Sequence, residues 1–115
     1  MLGFNHAFNG IKSLLSSERN FRIQLLIFVF VILAGIFLKI NLYEWLALLS
    51  ISALVLSLEA FNSCIEKLCD LYSTAQDSRI KWIKDVSAAA VLISSIISVL
   101  VGGFIFIPKL ITLFS

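Results

Sequence analysis

The chain has 115 residues, 60% of them hydrophobic and 14% charged, with a net charge of +2 and a mean hydropathy of +1.03. Soluble domains run to about 45–50% apolar and about 25% charged residues, so this chain lacks the polar surface to cover a water-facing globule. That argues against a soluble enzyme, a disordered chain, a disulfide-rich secreted fold and a nucleic-acid binder, and for a small all-α integral membrane protein of one domain, residues 1–115.

Residues 1–22 come first, as an interfacial segment with a surface helix over Leu2–Ser17. Leu2, Phe4, Phe8, Ile11, Leu14 and Leu15 form an apolar stripe opposite Asn5, Asn9, Lys12, Ser13 and Ser16, the pattern of an amphipathic helix lying in the membrane interface. A helix packed against the rest of the protein is the alternative. The first apolar run starts after Arg22 and no small-residue cleavage site follows it, so no cleavable signal peptide is expected.

The first transmembrane helix is expected over about 23–40, where Ile23–Leu38 carries no charge. The second is expected over about 44–66. From Trp45 to Glu59 a helix rises roughly 21 Å, short of the roughly 30 Å of a hydrocarbon core, so it must run on through Glu59. The third is expected over about 86–108, uncharged from Val86 to Pro108. Tyr43 and Trp45 suit an aromatic belt, and Ser87–Ala90 with Ser94, Ser95 and Ser98 suits close helix packing.

Lys12, Arg19, Arg22, Lys67, Arg79, Lys81 and Lys84 fall on one side of these spans, and Lys39 and Lys109 on the other. The positive-inside rule then puts the N-terminus and the 66–85 loop in the cytoplasm and the C-terminus outside. Glu18, Glu59, Glu66, Asp70, Asp77 and Asp85 share the cytoplasmic side. Glu59, Asn62, Glu66 and Asp70, spaced by three, four and four, stay within roughly 80° of helical arc and make one stripe that begins in the membrane and climbs into water. An acidic side chain at mid-membrane costs about 2.5–3.5 kcal/mol even on the lenient insertion scale.

Such a stripe suits three tasks: divalent-cation binding together with substrate phosphates, proton relay, or cation conduction in a small channel or transporter. Glu66 and Asp70 solvated in the first turns outside the membrane, and a surface ion pair of Glu18 with Arg22, are the plain structural alternatives. Cys64 and Cys69 have a spacing that suits neither a disulfide framework nor a metal site. His6, the single histidine, has no nucleophile partner legible beside it.

The run Glu59-Ala-Phe-Asn62-Ser-Cys-Ile65-Glu66-Lys-Leu-Cys-Asp70 resembles the signature E-x-x-N-[ST]-x-I-E-x-x-x-D of the prokaryotic diacylglycerol kinases. Lys84-Asp85-Val-Ser-Ala-Ala-Ala-Val91 resembles that family's entry to its last helix, and Glu18-Arg-Asn-Phe-Arg-Ile-Gln24 its upstream segment. The resemblance covers nearly the whole chain in order and spacing. It implies a bacterial inner-membrane lipid kinase, a homotrimer with active sites shared between neighbours.

By matched position, the resemblance implies Glu59 as the general base on the lipid hydroxyl. Glu18 and Glu66 would hold the Mg²⁺ that bridges the ATP phosphates, with Asn62 and Asp70 in support. Glu18, Glu66, Ala75, Gln76, Asp77, Lys84 and Asp85 would contact the nucleotide. Asp77-Ser78 stands where many relatives carry His-Pro, and Ala89 where they often carry glycine. The expected reaction converts diacylglycerol to phosphatidic acid, with undecaprenol as the alternative acceptor; Val101–Pro108 and Glu18–Gln24 look more like the undecaprenol-kinase branch. Independently of the resemblance, three spans offer too little wall to enclose both a nucleotide and a lipid, so a homo-oligomeric bundle is expected.

Overall fold

A computed structural model of the chain describes residues 2–73 and 75–115; Met1, Thr74 and the side chain of Leu2 lie outside the described residues. Four helices follow in order: α1 (Leu2–Ser17), α2 (Arg19–Leu38), α3 (Leu42–Tyr72) and α4 (Ser78–Phe114). Three of them, α2, α3 and α4, are long and apolar enough to cross a membrane. Helices are what such sequence must form there, because hydrocarbon offers no partner to an open backbone N–H or C=O.

The surface helix expected over Leu2–Ser17 is α1, and the interfacial segment drawn on to residue 22 is broken after it. Glu18 takes an extended backbone, φ −112° and ψ 103°, and Arg19 already begins α2. Arg22 fixes this elbow: its guanidinium donates to the Leu15 and Ser16 carbonyls at 2.9 and 3.3 Å, satisfying the open end of α1. The apolar stripe of α1 is not covered by the other helices, since Phe4, Phe8, Ile11 and Leu15 are all exposed and α1 packs mainly on α2. It is therefore free for the membrane interface, with Leu14 half-buried and the side chain of Leu2 outside the described residues.

α2 ends before residue 40. The N–H of Lys39 donates to Ile36 and that of Ile40 to Gly35, a Schellman cap. This places Lys39 at φ 54° and ψ 54°, a left-handed conformation that costs a side-chain-bearing residue roughly 1–2 kcal/mol. Asn41 opens α3 with a capping box: its Oδ1 accepts from the Glu44 N–H, and Glu44 Oε1 accepts from the Asn41 N–H, both at 2.9 Å. Asp77 opens α4, its carboxylate accepting from the Arg79 N–H.

At 31 and 37 residues, α3 and α4 reach about 46 and 55 Å, well beyond a core of roughly 30 Å. They pack antiparallel along their length, clamped by Lys109–Glu44 at one end and Lys84–Asp70 at the other. Their overhang carries the exposed Glu66 and Asp70 end of the stripe, with residues 75–77, beyond a span of that thickness. The buried cluster Ile40, Leu48 and Ile105, with Trp45 and Val31 against it, sits at the hairpin end. There Gly35 lets α2 meet Trp45: a β-carbon on it would lie 2.8 Å from the indole ring.

Candidate functional site

Along α3 the acidic stripe is a gradient of exposure. Glu59 is 4% exposed and Asn62 9%, while Glu66 and Asp70, successive turns further on, are exposed. No cation pairs with Glu59 among the described residues. A carboxylate left without a counter-ion keeps its lone pairs available for a proton.

Asn62 is tied down from both sides. Ser87 Oγ, on α4, donates to Asn62 Oδ1 at 2.8 Å, which turns the amide NH₂ toward α3's next turn, where it donates to Glu66 Oε1 at 3.4 Å. A hydroxyl on one helix thereby orients an amide on another, and the amide steadies a carboxylate. By sequence alone Ser87 counts among the packing serines. The signal that could have found it is its position three residues after Lys84, on the same face of α4.

Glu18 reaches the stripe from the α1–α2 elbow. Arg22 is occupied with the end of α1, so the Glu18–Arg22 pair does not form; Lys67 Nζ lies 3.6 Å from Glu18 Oε1 instead. Lys67 follows Glu66 directly, so this contact brings the Glu18 carboxylate to the part of α3 that carries Glu66. Glu59 is within electrostatic reach of both. Among the described residues no three carboxylate, imidazole or thiol groups gather tightly enough to hold a metal ion by themselves. Two glutamates fit Mg²⁺, which takes one or two carboxylates and completes its shell with phosphate and water.

Ala75, Gln76, Asp77, Lys84 and Asp85 line one cavity of about 570 Å³, beside Ser78 and Lys81. The structure thus brings together five of the residues expected at the nucleotide and leaves Glu18 and Glu66 outside that lining. Ion pairs hold the cavity's charges. Lys84 Nζ donates to Asp70 Oδ1 at 2.7 Å, and this bond raises the affinity of the ammonium for its proton. Arg79 forks onto Asp77 through Nε and Nη2 at 3.2 and 2.9 Å, holding that carboxyl below the usual carboxylate range. Lys81 pairs with Asp85. An apolar cavity of about 630 Å³, walled by Ile65, Leu68, Tyr72, Ile80 and Ile83, opens between the same two helices.

A sequence profile of the family described as prokaryotic diacylglycerol kinase matches residues 5–106. An undecaprenol kinase of Bacillus subtilis is 33% identical over 107 residues, covering 93% of this chain and 87% of that protein. A diacylglycerol kinase of Synechocystis sp. is 33% identical over 114 residues, covering 98% of this chain and 65% of that protein.

Proposed function

The chain belongs to the prokaryotic diacylglycerol kinase family and is a lipid kinase, and from that premise we propose that it carries the γ-phosphate of ATP to the hydroxyl of a membrane lipid with the help of Mg²⁺. The observation that carries this reading is Glu59, buried and without a counter-ion among the described residues, on one helix face with Asn62 and Glu66. The relay and conduction readings of the stripe give way to it, because the relatives are kinases.

Phosphoryl transfer needs charge neutralisation and alignment more than covalent help from the protein. Mg²⁺, held by Glu18 and Glu66, would supply positive charge to the phosphate oxygens. Glu59 accepts the proton of the lipid hydroxyl at its carboxylate. Asn62, itself fixed by Ser87, keeps Glu66 aimed. Lys84 and Asp85 contact the nucleotide with Ala75, Gln76 and Asp77, and Lys84 exchanges Asp70 for a phosphate oxygen as it does so. The N-terminus and this loop face the cytoplasm, where ATP is, and the C-terminus lies outside. The working unit is a homotrimer with sites shared between chains.

For the acceptor we place undecaprenol ahead of diacylglycerol. The relative named for undecaprenol is matched over 87% of its own length, the one named for diacylglycerol over 65%. Purified protein given ATP labelled at the γ-position, with each lipid in parallel, tests the whole reading. Label in undecaprenyl phosphate, lost on chelating divalent cations, is expected. Label in phosphatidic acid alone would reverse the order of acceptors, and label in neither would overturn the reading.

A further inference from the structure

Lys39 and Lys109 stand at the hairpin end of the bundle, away from the acidic stripe. They line one cavity of about 510 Å³, walled on its apolar side by Phe37, Leu38, Pro108 and Leu113. Lys109 Nζ lies 3.2 Å from Glu44 Oε1, an oxygen that also accepts the Asn41 N–H. Lys39 is exposed and has no carboxylate within ion-pair distance among the described residues. Two lysines against one glutamate leave the recess a net positive charge.

The backbone of Lys39 is unusual as well. Its φ of 54° belongs to glycine in a helix cap of this kind. A long cationic side chain held in that conformation is the sort of local strain that accompanies a functional side chain. Its depth is also set. The apolar helix α2 stops at Leu38, so the Lys39 ammonium stands where hydrocarbon gives way to headgroups.

We propose that this recess binds an anionic phospholipid, its headgroup phosphate between Lys39 and Lys109 and its acyl chains against Phe37 and Leu113. A free phosphate ion has no use for the apolar walls. A zwitterionic lipid brings its own cation and gains less from the two lysines. One basic residue near a membrane surface favours an anionic lipid by about fivefold.

Trp45 reports on the recess, because it packs on the same buried cluster as Leu38, which forms part of the recess wall. The chain has two tryptophans, and Trp82→Phe leaves Trp45 alone. The full chain is placed in neutral bilayers, and brominated phosphatidylglycerol and brominated phosphatidylcholine are compared as quenchers of Trp45. The anionic lipid is expected to bind about fivefold more tightly. The preference should fall to near unity in Lys39→Gly and persist in Lys39→Arg. Lys39→Gly should melt no lower than its parent in neutral bilayers, since glycine suits that backbone, so loss of preference reads as loss of the site. Equal quenching by both lipids, or a preference that survives Lys39→Gly, overturns the proposal. Displacement of the anionic lipid by inorganic phosphate would assign the recess to the free ion and overturn it too. Quenching by neither lipid would mean that a second copy of the chain covers the recess, and the proposal would fall in that case as well.

Discussion

Glu59 and Asp77 show how differently two carboxylates can be held in one small chain. Glu59 is enclosed and has no cation paired with it among the described residues, so its conversion to glutamine keeps the shape and removes the proposed base. Turnover of Glu59→Gln should fall by about 10²–10⁴ while ATP binding stays near its parent value; near-normal turnover in an intact assembly would refute the assignment. Asp77 is half-buried, forked by Arg79, and held below its ordinary value of 3.8. A carboxyl whose folded pKa is depressed stabilises the fold above its unfolded pKa and loses that contribution as pH falls through the folded one. Asp77→Asn should therefore melt slightly below the parent at neutral pH, the difference closing as the pH drops below 3.8. A gap that persists in acid would mean that Asp77 acts through something other than its charge.

The site as a whole is built from helices meeting at chosen turns. Glu18 comes from the elbow between α1 and α2 and Glu66 from α3, and Lys67, next to Glu66 in the chain, lies 3.6 Å from the Glu18 carboxylate. Glu18→Gln and Glu66→Gln should each raise the Mg²⁺ concentration needed for half-maximal rate, and the double variant should lose less than the two free energies added, since both act on one ion. Strict additivity with an unchanged Mg²⁺ requirement would count against a shared ion. The stripe itself is legible in the sequence, because a 3-4-4 spacing fixes residues on one face of a helix whatever the helix packs against. Ser87 and Lys67 are not legible there as partners. Which turn of α4 meets Asn62, and which turn of α3 meets the elbow, depends on how the helices slide and rotate against each other. The break at Glu18 is hidden for a related reason: no glycine or proline marks it, and the Arg22 bonds that hold it span a turn and more. Lys39 conceals the end of α2 because a cap of that geometry ordinarily announces itself with glycine.

In the complete molecule, apolar residues dominate the outside: Phe30, Phe37, Leu92, Val99 and Phe104 are all exposed on the single chain. In the proposed oligomer, lipid and neighbouring chains share that surface. A shared site predicts complementation. Glu59→Gln and Lys84→Ala chains, each inactive alone, should regain activity when assembled together, because some sites then draw one intact residue from each. Failure to recover activity in oligomers shown to be mixed would place both residues of one site on one chain.

The elbow at Glu18 gives the bilayer a mechanical part to play. One residue serves as both the joint between a surface-lying helix and a spanning one and, in the proposed chemistry, a ligand of the metal. Its position relative to Glu66 then follows α1, and α1, as an interfacial helix, follows the headgroups. Membrane thickness becomes a gauge acting directly on the cation site. Reconstitution into bilayers of graded acyl length should shift the Mg²⁺ requirement of the parent chain, and should leave it flat once Glu18 is changed to glutamine. A parent whose Mg²⁺ requirement ignores thickness would show the elbow to be rigid.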